Sequence, residues 1–572
     1  MRLFNKIWNS KLWLLITIAG LFAINWLASL YHTRIDFTNE KRFTLSGATK
    51  KVLKKIDDVV QVDVFLKGDF PSGFQKLANS TGEILQEFKE IAGKKLQYRF
   101  INPEEDVAGT NVKWADTLSA LGFYPINLTS QVKAGQQQQN IYPVAFVHYK
   151  DGVMPVMIYQ GKTKITTYSE INSAEAMLEF NFTNAIQKLS ETNKPMVAYC
   201  VGNGEPEDVR TYDLVENVLK QDYNLQILNL QSAHFIPDTF KLVLVIKPDL
   251  AFSDEEKLKL DQYVMRGGRV LFFVDKLNAE LDSLQTKKGE VVAYDRELGL
   301  NDMLFRYGVR INSDLVMDLQ CDFLPFDVSG NGQFELLPWN YFPVFQTKSD
   351  HVINRNIGFV SGRFVNSIDT VEAEGIKKTI LLSSSPNSRN ISTPALISTK
   401  ENSQAPEDEK FKKANIPVAV LLEGKFRSPF SNRLSQAMND SLQKYGGVFM
   451  SQCITDNKMI VVADGDMILN SVKENKPIPM GMNPYTLGSQ REFRFANRDF
   501  LQNCLDYLIN SSGLSEAKAK DYTLRLLDKK KVEEGRSTWQ IINIAAPLLL
   551  VSLFGLVFQW TRKRKYTISK NG

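Results

Sequence analysis

The sequence predicts an α/β protein with two sheet-bearing units held between two apolar segments. Three observations lead there. Short apolar runs alternate with amphipathic stretches of helical period. Several of the runs, such as Leu242–Ile246 (LVLVI), are unbroken, the pattern of parallel strands buried on both faces. Two charge-free segments lie near the ends of the chain. The 572 residues are 43% hydrophobic and 23% charged, which excludes a disordered or fibrous chain. A net charge of +5 over this length argues against a general nucleic-acid binder. The four cysteines, Cys200, Cys321, Cys453 and Cys504, form no CxxC or Cys/His cluster, which excludes a zinc ribbon or a disulfide-stapled miniprotein.

Residues 1–11 read as a cytoplasmic N-terminus and residues 12–30 as a transmembrane helix. Leu12–Leu30 has no charge and as a helix spans about 28 Å, close to the bilayer core. The run is longer than a signal-peptide core and no A-x-A site follows it, so an uncleaved anchor is expected. Residues 539–560 read as the second span. Ile541–Phe558 is uncharged, Trp539 and Trp560 flank it, and Pro547 permits a kink. Arg2, Lys6 and Lys11 precede the first span, and Arg562–Lys565 begins a basic cytoplasmic tail, 561–572. Both termini are then expected inside, although Arg34, Lys41, Arg42, Lys529–Lys531 and Arg536 lie on the opposite sides. Residues 31–540 would lie outside the cytoplasm, in the periplasm of a Gram-negative host.

Residues 31–190 form the first expected unit. Ser46 N-caps a helix carrying Val52, Leu53 and Ile56 on one face. Val60–Leu66 alternates as a strand. Phe74–Ile91 is amphipathic and Gly93 stops it. Leu96–Ile101 is the next strand, and Tyr142–Tyr159 reads as a hairpin turning at Asp151-Gly152. Gln136–Gln139 reads as a polar loop. This order is thioredoxin-like, without the CxxC of a redox protein.

Residues 191–512 form the larger, mostly parallel-sheet domain. Strands are expected at Pro195–Val201, Leu225–Leu230, Leu242–Ile246, Arg269–Asp275, Lys378–Leu382, Pro417–Leu422 and Met459–Asp464. Helices are expected at Tyr212–Lys220, after the capping box Ser253–Glu256, and at Phe500–Ile509. Residues 276–376 and 384–415 are richer in Asn, Ser, Gly and Pro and read as insertions and long loops. Residues 513–538 read as a charged helical stalk.

Chemistry-bearing motifs are sparse. Leu45–Thr49 (LSGAT) has only a superficial likeness to an ATPase signature. The one GKT, Gly161–Thr163, lacks the glycine of a phosphate loop, since position 156 is Val. Cys200 ends a strand, where hydrolases place a nucleophile, but no glycine elbow precedes it. His234 and His351 are the candidate bases, neither in a recognisable setting. Asp464-Gly465-Asp466 could hold a hard cation or make a turn, and no third ligand is in register, so no metal site is assigned. The loop Gly202-Asn203-Gly204-Glu205 follows the first strand of the larger sheet and is the candidate small-ligand contact, because its glycines permit close approach. No catalytic residue and no cofactor is assigned. In the first span, Ala19, Gly20 and Ala23 offer a small-residue packing face and Asn25 a polar group within it, a face for docking on a larger membrane protein.

The run Ile35–Leu66 (IDFTNEKRFTLSGATKKVLKKIDDVVQVDVFL) after an N-terminal anchor resembles the bacterial gliding-motility-associated ABC-transporter auxiliary (substrate-binding-like) GldG family. So do VAYCVGNGEPE, KLVLVIKPDLAFSDEEKLKLDQYVMRGGRVLFFVD, NRDFLQNCLDYLI and the C-terminal span. The resemblance implies a non-catalytic inner-membrane subunit beside a permease and a cytoplasmic ATPase in gliding Bacteroidetes. It also implies that the larger domain is glutamine-amidotransferase-like and lacks a catalytic triad. Two rivals stand beside this reading: an envelope scaffold without a transport role, and a membrane-tethered hydrolase or amidotransferase using Cys200.

Overall fold

The computed structural model describes residues 18–26, 44–132, 135–159, 161, 167–191, 193–286, 289–328, 331–346, 351–355, 357–399, 408–444, 447–510 and 529–567. The chain divides into two compact units, one through Tyr522 and one from Thr523.

In the first unit, Ser46 Oγ accepts the Thr49 N–H and opens α1 (Gly47–Lys55). β1 (Val60–Val64), α2 (Ser72–Ala92) and β2 (Leu96–Phe100) follow. β3 (Val144–Tyr149) and β4 (Gly152–Met157) form the hairpin, and α3 (Tyr168–Ser190) closes the group. The sheet order is β2-β1-β3-β4, with β1 parallel to β2 and antiparallel to β3. Val60, Val62 and Val64 face a core shared with Leu77 and Phe88 of α2 and Leu178, Phe182 and Ile186 of α3. The order helix, strand, helix, strand, hairpin follows the sequence reading, with a helix at Trp114–Ala120 and the strand pair Ile126–Val132 and Gly135–Ile141 inserted before the hairpin.

Three expectations change here. The hairpin turns one residue earlier than expected: Tyr149 pairs with Gly152, so Lys150 and Asp151 make a two-residue loop with Lys150 at φ 52°. Gln136–Gln139 is not a loop. It lies in a strand, Gly135–Ile141, paired with Ile126–Val132, because a backbone ladder needs no apolar side chains to form. The helix α3 was not expected. Its start is a full capping box, Thr167 with Glu170, a signal present in the sequence.

The larger sheet holds β5 (Met196–Val201), β6 (Asn224–Asn229), β7 (Phe240–Ile246), β8 (Arg269–Phe273), β9 (Ile376–Ser383), β10 (Pro417–Gly424) and β11 (Asn457–Val462). Its order is β9-β10-β11-β8-β7-β5-β6. All its strands point one way except β10, which pairs antiparallel with both neighbours. Alternate residues of each strand feed two separate cores. Val197, Tyr199 and Val201 face one, and Ala198 and Cys200 face the other. The first core is closed by Leu214 and Val218, and by Phe500, Leu501 and Leu505 of a helix at Asn497–Ile509. The expected helix at Tyr212–Lys220 is wound as a π-helix over Asp213–Leu219. The second core is closed by α4 (Asp254–Met265) and α5 (Asn301–Tyr307).

The stretches read as loops are in fact ordered sheets with a core of their own. Leu277–Asn278, Glu290–Asp295 and Ala395–Ser398 form one small sheet, and Cys321–Phe326, Glu335–Gln346 and Phe359–Ser361 another. Trp339, 1% exposed, centres that core, with the rings of Phe342, Tyr341 and Phe364 at 5.0, 5.4 and 5.6 Å. Short strands rich in turn residues hid an aromatic core whose partners are distant in sequence.

Residues 18–26 are helical and mostly exposed; the rest of the predicted first span lies outside the described residues. Ala19, Gly20, Ala23 and Asn25 lie on this helix, and nothing lies within 4 Å of a Cβ built on Gly20. The second unit is one helix, Lys529–Thr567, with Pro547 inside it. Most of the predicted stalk, up to residue 528, lies outside the described residues. Within that helix Ser537–Arg564 is long and apolar enough to cross a membrane, the one such helix among the described residues.

Candidate functional site

In an open α/β sheet the carboxyl ends of parallel strands are where loops can meet a ligand. Here β5, β7, β8 and β11 end together, and each is followed by polar residues.

The loop after β5 turns inward. Asn203 is fully buried and Glu205 is 6% exposed, whereas Gly204 is exposed at φ 82°. A Cβ on Gly204 would lie 2.9 Å from Asp249 Cβ, so glycine permits the two loops to touch. The N–H groups of Asp249 and Leu250 both donate to the Asn203 carbonyl at 2.8 Å. Glu205 Oε2 accepts the Asn203 N–H at 2.7 Å, and Asn203 Nδ2 donates to Glu256 Oε2 of the α4 capping box at 3.4 Å. Burial, with lesser help from the charge of Glu256, pushes the Glu205 carboxyl up to about 7. The four residues singled out from sequence are thus brought together, with their glycines at the surface side and their polar groups turned into the fold.

The loops after β7, β8 and β11 meet at Lys247. Its ammonium donates to Asp466 Oδ1 at 2.6 Å and to Glu280 Oε2 at 3.1 Å, and lies 3.3 Å from Asp275 Oδ2. Burial would lower the lysine, but Asp466, Asp275 and Glu280 overcome it and hold the ammonium above its usual range. Burial raises Asp275 against the pull of Lys247 and raises Asp464 further, with Asp275 and Asp466 adding to it. Asp466 is also buried, yet Lys247 holds it below the usual carboxylate range. Gly465 brings the β11 loop against the lysine, since a Cβ there would lie 2.7 Å from Lys247 Cβ. Arg296 closes the group by donating to Glu280 Oε1 at 2.8 Å.

Asp464-Gly465-Asp466 is a turn. Asp464 Oδ1 accepts the N–H groups of Asp466 and Met467 at 2.9 and 3.0 Å, and Oδ2 accepts that of Arg363 at 2.9 Å. The place a cation would need among these carboxylates is taken by the Lys247 ammonium. Among the described residues no three His, Cys, Asp or Glu side chains are gathered as metal ligands. The adjoining cavity, about 10 Å³ beside Asp466 and Arg363, has room for about one water.

Cys200 is fully buried in the second core, and burial followed by the charge of Glu205 raises its thiol well above the usual range. A nucleophile needs access and a thiolate, and this thiol has neither. His351 meets the Tyr507 ring edge to face, with ring centres 4.8 Å apart. Sequence reasoning missed Lys247, Asp275, Glu280 and Arg296. The available signal was a charged residue directly after each of several unbroken apolar strands, as in LVLVIK and LFFVD.

A relative described as an uncharacterized protein from Borreliella burgdorferi is 19% identical over 97% of this chain and 99% of its own length. A solved structure, the mmIFT52 N-terminal domain, is 13% identical, covers 55% of this chain and 96% of its own, and has a TM-score of 0.29, too low to argue a shared fold. Residues 39–148 match a domain of unknown function, DUF7088. Residues 194–504, from the start of the larger sheet into its closing helix, match the family described as ABC-type uncharacterized transport system. That match spans more than half of the chain, and the chain therefore belongs to the ABC-type uncharacterized transport system family.

Proposed function

We propose that the protein is a non-catalytic, membrane-anchored subunit of an ABC transporter complex. The observation that carries this is the helix Ser537–Arg564, long and apolar enough to cross a membrane and with that apolar stretch unburied within the protein. An apolar helix of this length with Arg562–Lys565 at its end fits a bilayer span with a basic cytoplasmic anchor. The sealed carboxyl edge, where Lys247 neutralises its own ring of carboxylates, supports a non-enzymatic role.

On this reading residues 12–30 form a second span and both termini are cytoplasmic. Residues 31–190 and 191–512 are then two periplasmic domains at the inner membrane, the first thioredoxin-like and the second amidotransferase-like. The partners are a membrane permease and a cytoplasmic ATPase, and the cellular process is gliding motility. Ala19, Gly20, Ala23 and Asn25 are the docking face on the permease, and the loop Gly202–Glu205 offers a ligand only its glycine backbone, since Asn203 and Glu205 are buried. An affinity pull-down of the full chain from native membranes tests this. Recovery of a permease and an ATPase is expected. Recovery of envelope components alone would favour a scaffold instead.

A further inference from the structure

A groove of about 850 Å³ lies on the α5 side of the larger domain, with Lys276, next to Asp275 in the chain, among its lining residues. One wall is α5 and the strand after it, Val309–Ile311; the other is the loop 428–433 that follows β10. Four of its lining side chains are cationic, Lys276, Arg306, Arg310 and Arg433, against a single carboxylate, Asp302. Lys276, Arg310 and Arg433 each have a carboxylate partner within the chain, so the uncompensated positive charge of the groove rests on Arg306.

The charges are held in place. Arg310 is fixed by Asp369 at 2.6 Å and by Asn312 at 3.0 Å. Arg433 is fixed by Asp302 at 2.5 Å and lies 5.2 Å from the centre of the Phe430 ring. Lys276 is fixed by Asp295 at 2.7 Å. A guanidinium has five N–H donors, so one carboxylate contact leaves others to face a ligand. Arg306 is exposed and pairs with no carboxylate among the described residues. Planar guanidinium forks pair bidentately with carboxylates and phosphates.

Size and shape narrow the ligand. The volume far exceeds that of a simple ion and is at the upper end for a small-molecule pocket. Such pockets enclose most of their ligand, whereas this groove is open to solvent on one side. An open groove can hold part of a ligand that continues beyond it. Amides at Asn301, Asn312 and Asn432 can bond a peptide backbone, and Phe305, 52% exposed, offers an apolar rest.

We propose that this groove binds an extended acidic peptide segment of a partner protein. The proposal does not rest on the transporter reading. The test is fluorescence anisotropy with the full chain in detergent micelles and a labelled ten-residue peptide of alternating Glu and Ser. A Lys-Ser peptide and an acidic oligosaccharide serve as comparisons. The Glu-Ser peptide is expected to bind, the Lys-Ser peptide not, and affinity is expected to fall steeply between 50 and 300 mM salt, taken as roughly low and high screening. Arg306→Glu is expected to weaken binding on the order of tenfold. Because Arg306 is exposed and unpaired, the variant keeps its fold, which a melting curve checks. Lys241→Glu, at an exposed position outside the groove, is expected to leave affinity unchanged. Absence of peptide binding, equal losses in the two variants, or preference for the oligosaccharide would overturn the proposal.

Discussion

Lys247 and Asp466 meet at 2.6 Å across the end of β8, joining the loops of two strands that are not neighbours in the sheet. The lysine follows β7 and the aspartate follows β11, and the lysine contacts three of the carboxylates packed around it, one of which, Glu280, it shares with Arg296. Lys247→Met should therefore leave buried negative charge uncompensated, with a loss of about 3–5 kcal/mol in urea unfolding. The deficit should shrink at pH 5, where the surrounding carboxyls can take up protons. An equal deficit at pH 5 and pH 8 would show that packing, not charge, is what the lysine supplies.

Glu205 gives a pH dependence of defined sign. Its folded-state value is raised to about 7 from 4.5, so its contribution is full below 4.5 and is lost as pH rises through 7. Over that window the native state gives up on the order of 3 kcal/mol relative to the unfolded chain. Glu205→Gln keeps an acceptor for the Asn203 N–H and removes the titration. The variant should match the wild type near pH 4.5 and be the more stable of the two at pH 8, read from urea midpoints.

Gly268 ends α4 at the ring of Tyr263. A Cβ there would lie 2.3 Å from the ring, which is fully buried and donates its hydroxyl to the Phe240 carbonyl at 3.1 Å. The ring has nowhere to retreat. Gly268→Ala should lower stability by about 1–3 kcal/mol. Gly267→Ala meets nothing within 4 Å and differs only through its φ of 93°, so its loss should come from backbone strain of roughly 1 kcal/mol.

Cys200, Cys453 and Cys504 are all buried, and Cys200 has no exposed surface. None of the three should react with a thiol reagent until the head unfolds. Cys200→Ala should leave any transporter-linked activity unchanged while lowering stability by roughly 1–2 kcal/mol through a small cavity. Loss of activity with stability retained would revive a role for the thiol.

The legible parts of the fold were those governed by neighbours in sequence. Ser253 and Glu256 announce the start of α4 three residues apart, and both halves of the capping box form. Unbroken runs such as Leu242–Ile246 announce a strand buried on two faces, and those residues do alternate between two cores. What stayed hidden depends on distant partners. Trp339 joins Phe364 and Phe326 in a core that no local period reveals. Lys247 reads as an ordinary strand-end charge until β8 and β11 bring Asp275 and Asp466 to it. At the candidate site, the sequence placed Asn203 and Glu205 in the right loop but not on the inside of it.

The position of β11 between β8 and β10 has a consequence for how the protein is made. During synthesis β5 to β8 emerge first, and the apolar flank Val270–Phe273 then waits for residues 457–462 to arrive. An open strand edge of this kind invites pairing with the wrong chain. Contacts so remote along the chain also form late and slowly. The nascent head is therefore most vulnerable to aggregation in the interval before its last sheet strand appears, and it is there that an escorting chaperone would have its effect.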